Sequence, residues 1–277
     1  VSRHPVRVGA WRFLLFVALI GLSSSSLSKE RPVFDQLVVF GDSLSDMGNA
    51  GRFSNGLVWV EQLAETLKLP LTPSERGGQN FAVGGARIEL GPQSLRAQVN
   101  RFLKLSRPSD RTLYIVWGGG NDVFAGIGSP DAFSQLDAAA ASLKGVLADL
   151  IARGASDLLV PNLPDVGITP EVRAHGSKAL EEARRLTQHF NRAVERGLDD
   201  LVSSSRTART ARIYRLDVAA MAERARKDPA SFGFTNITSP CRGSAQCGKY
   251  LFWDDIHPTT AAHVRLAEAA LGALSLQ

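Results

Sequence analysis

The stretch "VVFGDSLSD" (38–46) runs from Val38, Val39 and Phe40 into Gly41, Asp42 and Ser43. β-Branched and aromatic residues without polar alternation read as a strand covered on both faces, and Gly-Asp-Ser supplies the turn that ends it. Ser43 stands at a strand's carboxyl end, as a turn residue or as a group placed for chemistry. Working outward, the pattern returns at 79–85 ("QNFAVGG"), 113–120 ("LYIVWGGG"), 157–163 ("DLLVPNL") and 211–218 ("ARIYRLDV"). Amphipathic helical patterns over 58–69, 94–105, 133–154, 177–203 and 259–276 lie between or after these runs. Apolar strands alternating with helices predict a three-layer α/β/α sandwich on a mainly parallel five-stranded sheet. Thr259 or Thr260 is placed to cap the last helix.

At 277 residues, 44% hydrophobic and 21% charged, the chain has the composition of one large globular domain. Its formal charge of +5 falls to +2 once Arg3, Arg7 and Arg12 are set aside. Those arginines precede an apolar run at 13–22 and the small residues "SSSSLS" at 23–28, the order of a secretory signal peptide. The run is about half the ~20 residues a membrane span needs. The expectation is a signal peptide over 1–28, a domain over 29–277, and a secreted or periplasmic protein without an anchor. A buried or interfacial N-terminal helix is the alternative. A nearly balanced mature chain leaves nucleic-acid binding without its electrostatic support, and "RTARTAR" (206–212) reads as a solvated loop.

Cys241 and Cys247 are the only cysteines and share one loop, "CRGSAQC". In an exported protein they read as a disulfide, with two free thiols as the alternative. A zinc site would need ligands that no second cysteine pair supplies.

Ligands of a parallel α/β sheet gather outside the carboxyl ends of its strands. "GDS", "GG" and "GGGND" fall there, and Gly118–Gly120 allow close backbone approach while Asn121 offers an amide donor. No G-K-[ST] or G-x-G-x-x-G accompanies them, so nucleotide binding is a poor reading. The remaining polar element is "FWDDIHPTT" (252–260), in which Asp254 and His257 stand three apart and Pro258 restricts His257 to extended geometry. A metal set of Asp254, Asp255, His257 and His263 is the competing account. A serine, a base, an acid and oxyanion donors are the parts of one reaction, acyl transfer through a serine.

"FGDSLSDMGN", "NFAVGGA", "GGGND" and "FWDDIHPTTAAH", in this order, resemble the GDSL family of serine esterases and lipases, the SGNH hydrolases. With "NLPDVGITP" (162–170) and "FGFTNITSPC" (232–241), the resemblance is to the lipase, phospholipase and acyltransferase-like branch. It implies a flavodoxin-like fold with no metal or organic cofactor, acting on a small-molecule or lipid ester with transient contact to a lipid surface. It implies Ser43 as nucleophile, His257 as general base and acid, and Asp254 as its orienting carboxylate. Ser43, Gly85 and Asn121 would form the oxyanion hole, with Gly84 as the alternative to Gly85. The loop at 229–250 is a candidate lid.

Overall fold

The computed structural model describes residues 34–204 and 207–275, together with Val1, Ser2 and His4. The leader expected over 1–28 lies outside these apart from three residues. The chain divides into units 1–30 and 31–277, and the fold below is that of the second.

The elements follow as β1 (Gln36–Gly41), α1 (Trp59–Leu67), α2 (Leu95–Leu105), β2 (Thr112–Trp117), α3 (Gly120–Gly126), α4 (Ala132–Ala152) and β3 (Asp157–Pro161). Then come α5 (Pro170–Ala174), α6 (Gly176–Ser204), β4 (Arg212–Leu216), α7 (Val218–Lys227), β5 (Asn236–Pro240), β6 (Tyr250–Phe252) and α8 (Thr260–Ser275). The five expected helices all form, with ends within two residues of expectation. None among the described residues is long and apolar enough to cross a membrane.

β1 to β4 form a parallel sheet in the order β1-β2-β3-β4. Nearly every residue of β1, β2 and β3 is buried, as expected of strands covered on both faces. The edge strand β4 is instead buried at Ile213, Tyr214 and Leu216 and exposes Arg212 and Arg215. The helices fall into two packed groups, α1 with α8 and α2, α3, α4 and α6 together, which gives the three layers.

The fifth strand expected over 79–85 is corrected. This segment runs beside β1 through three hydrogen bonds, from Val39 to Gln79 O (3.0 Å), Phe81 to Val39 O (2.7 Å) and Val83 to Gly41 O (3.1 Å). It makes only isolated bridges, at Asn80. The Asn80 side chain accepts from Ala82 N–H, a local bond that turns the backbone away from a regular ladder. The sheet has four strands with this segment as an irregular fifth rail. Its position makes the end of β1 a switch point: the chain leaves β1 to one side for 79–83 and returns on the other as β2.

The stretch 229–250, expected as a plain loop, holds a short 3₁₀ turn at Ala230–Phe232 and strand β5, which pairs with β6.

Candidate active site

Gly41 ends β1 in a place no side chain fits, because a Cβ there would lie 2.6 Å from Trp117 O. The buried Gln98 amide bonds both sides of this residue, accepting from Gly41 N–H at 2.9 Å and donating to Gly41 O at 2.8 Å. The chain then turns sharply. Leu44 N–H bonds Asp42 Oδ1 at 3.0 Å, and the Ser45 and Asp46 amides bond Asp42 O. Asp46 is wholly buried, and its carboxylate accepts N–H groups of Gly48, Asn49, Ala50 and Gly84 at 2.7–3.0 Å. Asn49 donates to Asn80 O and Ala82 O, both at 2.8 Å. The β1 turn and the 79–84 segment are thereby one hydrogen-bonded unit, with Ser43 at its tip.

His257 arrives from the loop between β6 and α8. Asp254 Oδ1 accepts the backbone N–H groups of Ile256 (2.9 Å) and His257 (2.6 Å) in an Asx turn. The same carboxylate lies 2.8 Å from His257 Nδ1, and His257 Nε2 lies 2.9 Å from Ser43 Oγ. Burial raises the Asp254 pKa, but the bonds from the His257 ring and from the two amides outweigh it and bring the group to about 2. An ionised carboxylate only accepts, so the imidazole carries its hydrogen on Nδ1 and accepts the Ser43 hydroxyl hydrogen at Nε2. Phe53 lies against the ring with centroids 5.1 Å apart. Ser54 Oγ holds Pro258 O at 2.9 Å, and Thr259 caps α8 by accepting Ala262 N–H.

The N–H groups expected as oxyanion donors lie on elements already tied together. Gly84 N–H is committed to Asp46, whereas the N–H groups of Ser43 and Gly85 have no acceptor among the described residues. Gly85 has φ of 77°, a conformation that favours glycine. Asn121, in the first turn of α3, spends one amide hydrogen on Ala86 O at 3.0 Å and keeps the other. Asp122 ties α3 to the same loop by accepting from Ile88 N–H and Arg87 Nε.

Asp42, buried beside Ser43, has its pKa pushed up to about 6, chiefly by that burial. Asp255 points to solvent and does not join Asp254. His263 is completely buried on α8, and neither ring nitrogen has a hydrogen-bond partner among the described residues. The metal set Asp254, Asp255, His257 and His263 is therefore not assembled. Cys241 and Cys247 are disulfide-bonded in the turn between β5 and β6. The positioning roles of Asp46, Asn49 and Gln98 were missed from sequence. Only Asp46, followed by Met-Gly-Asn, carried a local sign, that of an Asx turn.

The profile of the family described as GDSL-like Lipase/Acylhydrolase matches residues 37–270. The chain belongs to this family. A phosphatidylcholine-sterol acyltransferase of Aeromonas hydrophila is 26% identical over 92% of this chain and 95% of its own. A GDSL esterase/lipase of Arabidopsis thaliana is 28% identical over 90% of each chain. Lipase 1 of Photorhabdus luminescens is 26% identical over 95% of this chain, which spans about half (53%) of that longer protein. The acetylxylan esterase Axe2 of Geobacillus stearothermophilus superposes with a TM-score of 0.57 at 16% identity, covering 89% of this chain and 97% of its own, a likeness of fold. As a GDSL-family member the chain is a carboxylic ester hydrolase acting on small-molecule esters.

Proposed function

We propose that the chain hydrolyses acyl esters through an acyl-enzyme on Ser43. One observation carries this assignment: a single hydrogen-bonded line runs from Asp254 through His257 to Ser43 Oγ, at 2.8 and 2.9 Å. His257 takes the hydroxyl proton as Ser43 Oγ attacks the ester carbonyl carbon, and the resulting oxyanion meets the N–H groups of Ser43, Gly85 and Asn121. The intermediate collapses, the alcohol leaves with the proton from His257, and the acyl group stays on Ser43. Water then attacks under the same base, and the acid departs as Ser43 recovers its proton. Asp254, ionised, holds the ring and stabilises the imidazolium that forms twice per cycle.

The Aeromonas relative's name favours a second reading, in which an alcohol rather than water takes the acyl group from Ser43. Export to an oxidising compartment is part of the proposal, supported by the N-terminal pattern and the Cys241–Cys247 disulfide.

Hydrolysis of p-nitrophenyl butyrate by the wild type and Ser43→Ala tests the assignment. We expect kcat to fall by about 10⁴–10⁶. Activity largely retained in Ser43→Ala would remove Ser43 as nucleophile. Product analysis with an added alcohol separates transfer from hydrolysis.

A further inference from the structure

A cavity of about 150 Å³ opens beside Ser43, and the surface it exposes is mainly apolar; Asp165, Thr169 and Arg265, which also border it, are already bonded within the chain. Its lining follows the sheet. Residues after β1 (Ser43), β2 (Asn121), β3 (Leu163) and β4 (Val218, Met221) contribute in spatial order. The cavity thus crosses the carboxyl edge of the sheet from the first strand to the fourth. Three strand spacings of ~4.8 Å make this about 14 Å. Phe232 and Phe234, from the stretch ahead of β5, also line it.

We propose that this cavity holds the acyl chain of the ester and selects chains of about eight to twelve carbons. The inference rests on the acyl-enzyme reading above. The occupant follows from chemistry: once the alcohol has left, the acyl group remains bonded to Ser43 Oγ at the cavity's mouth. An alcohol that is a sugar, a glycerol or a charged headgroup would lose hydration against these walls without regaining hydrogen bonds. An alkyl chain has none to lose. An extended chain advances about 1.2 Å per bond, one third of the reach of a residue, so 14 Å takes at most about twelve carbons. An acetyl group would leave most of the space unfilled. Met221 and Ala222 of α7 stand under the fourth strand's end, farthest from Ser43 along the row of strands, and set the length accepted.

The test is a series of monomeric p-nitrophenyl esters from acetate to palmitate on the full chain, with decyl acetate and ethyl decanoate compared alongside. Each methylene that enters should raise kcat/KM by up to about fourfold. We expect at least a tenfold rise from acetate to a maximum between octanoate and dodecanoate, a fall by palmitate, and ethyl decanoate cleaved faster than decyl acetate. Ala222→Phe should lower the decanoate-to-butyrate ratio of kcat/KM several-fold, and Met221→Ala should move the maximum to longer chains. Should Ala222→Phe give no cooperative melt, Met221→Ala carries the comparison. A maximum at acetate, a profile unmoved by Met221→Ala, or a preference for decyl acetate would overturn the acyl site. Ser43→Ala run beside them keeps the two readings apart: persistent activity there removes the acyl-enzyme, while a dead Ser43→Ala with a flat profile removes only the chain-length inference.

Discussion

At the residue scale, the roles proposed around Ser43 can be separated by substitution. Asn121 keeps one amide hydrogen after bonding Ala86 O, so Asn121→Ala should lower kcat by about 10²–10³ with little change in KM. An equal loss in KM alone would mean that the amide binds substrate rather than the transition state. Asp254→Asn should cost about 10⁴ in kcat, because an amide can donate to Nδ1 and turn the ring to the wrong tautomer. Asp254→Asn with near-normal kcat would show that the two backbone bonds of its turn orient His257 without help from the charge. Ser43, His257, Asp254 and Asn121 were legible as candidates because their neighbours betray them: a glycine turn, a proline lock, an acid three residues away. The choice between Gly84 and Gly85 was not. Both are glycines in one run, and what favours Gly85 in the proposed site is a bond from the Gly84 N–H to the Asp46 carboxylate, 38 positions upstream.

At the element scale, α8 carries an uncompensated group. Burial above all, helped by the Arg52 guanidinium, holds His263 neutral and lowers its pKa to about 3. Its ordinary value is about 6.5, so below that pH the unfolded chain takes a proton the folded chain refuses. The folded pKa is the lower one. Stability from this group is therefore complete above about pH 6.5 and is lost progressively as pH falls toward 3. His263→Leu removes this loss together with two unpaired nitrogens. We expect its melting temperature to match or exceed the wild type at pH 7 and to pull further ahead by pH 4.5. Parallel curves for the two proteins would mean that the imidazole is solvated and titrates normally. Reducing Cys241–Cys247, which closes a short turn, should cost about 2 kcal/mol in the chain-entropy picture, seen as a melting temperature lower by several degrees. Helices with an apolar stripe were legible to within a turn, and so were the strands of the buried sheet. The segment at 79–85 was not, because its strand-like composition is overruled by the Asn80 side chain and by Gly84 and Gly85. Strands β5 and β6 were not either. Proline, serine and asparagine there read as loop, and only pairing between distant segments, aided by the disulfide, makes them strands.

At the scale of the whole molecule the sheet has two unlike edges, and this separates stability from chemistry. The carboxyl edge holds Ser43, Asn121 and the cavity. The amino edge is anchored by Asp157, fully buried at the start of β3, whose carboxylate accepts from Arg212 Nε (2.6 Å) and Nη2 (2.8 Å), Tyr214 Oη (2.9 Å) and Ser156 Oγ (2.6 Å). Burial raises its pKa, but these bonds prevail and hold it below the usual carboxylate range, so it stays ionised at neutral pH. That parallel strands would stack in this region was legible from their apolar runs. That β3 and β4 are neighbours locked by Asp157 and Arg212 was not, since Arg212 ends a basic run that reads as solvated loop and its partner lies 55 residues away. The consequence can be measured. Asp157→Ala leaves Tyr214 without an acceptor, whereas Ser156 keeps Asp110 O at 3.0 Å and Arg212, more than half exposed, still reaches water, so the loss should be about 1–3 kcal/mol. It should appear as a lower denaturation midpoint with an unchanged m-value. Five residues of strand, roughly 16 Å, separate this anchor from the reacting edge, and kcat per folded molecule should stay at the wild-type value. A kcat that falls with the midpoint would mean that the two edges are mechanically coupled, and that the position of Ser43 depends on how β3 and β4 are held at their far ends.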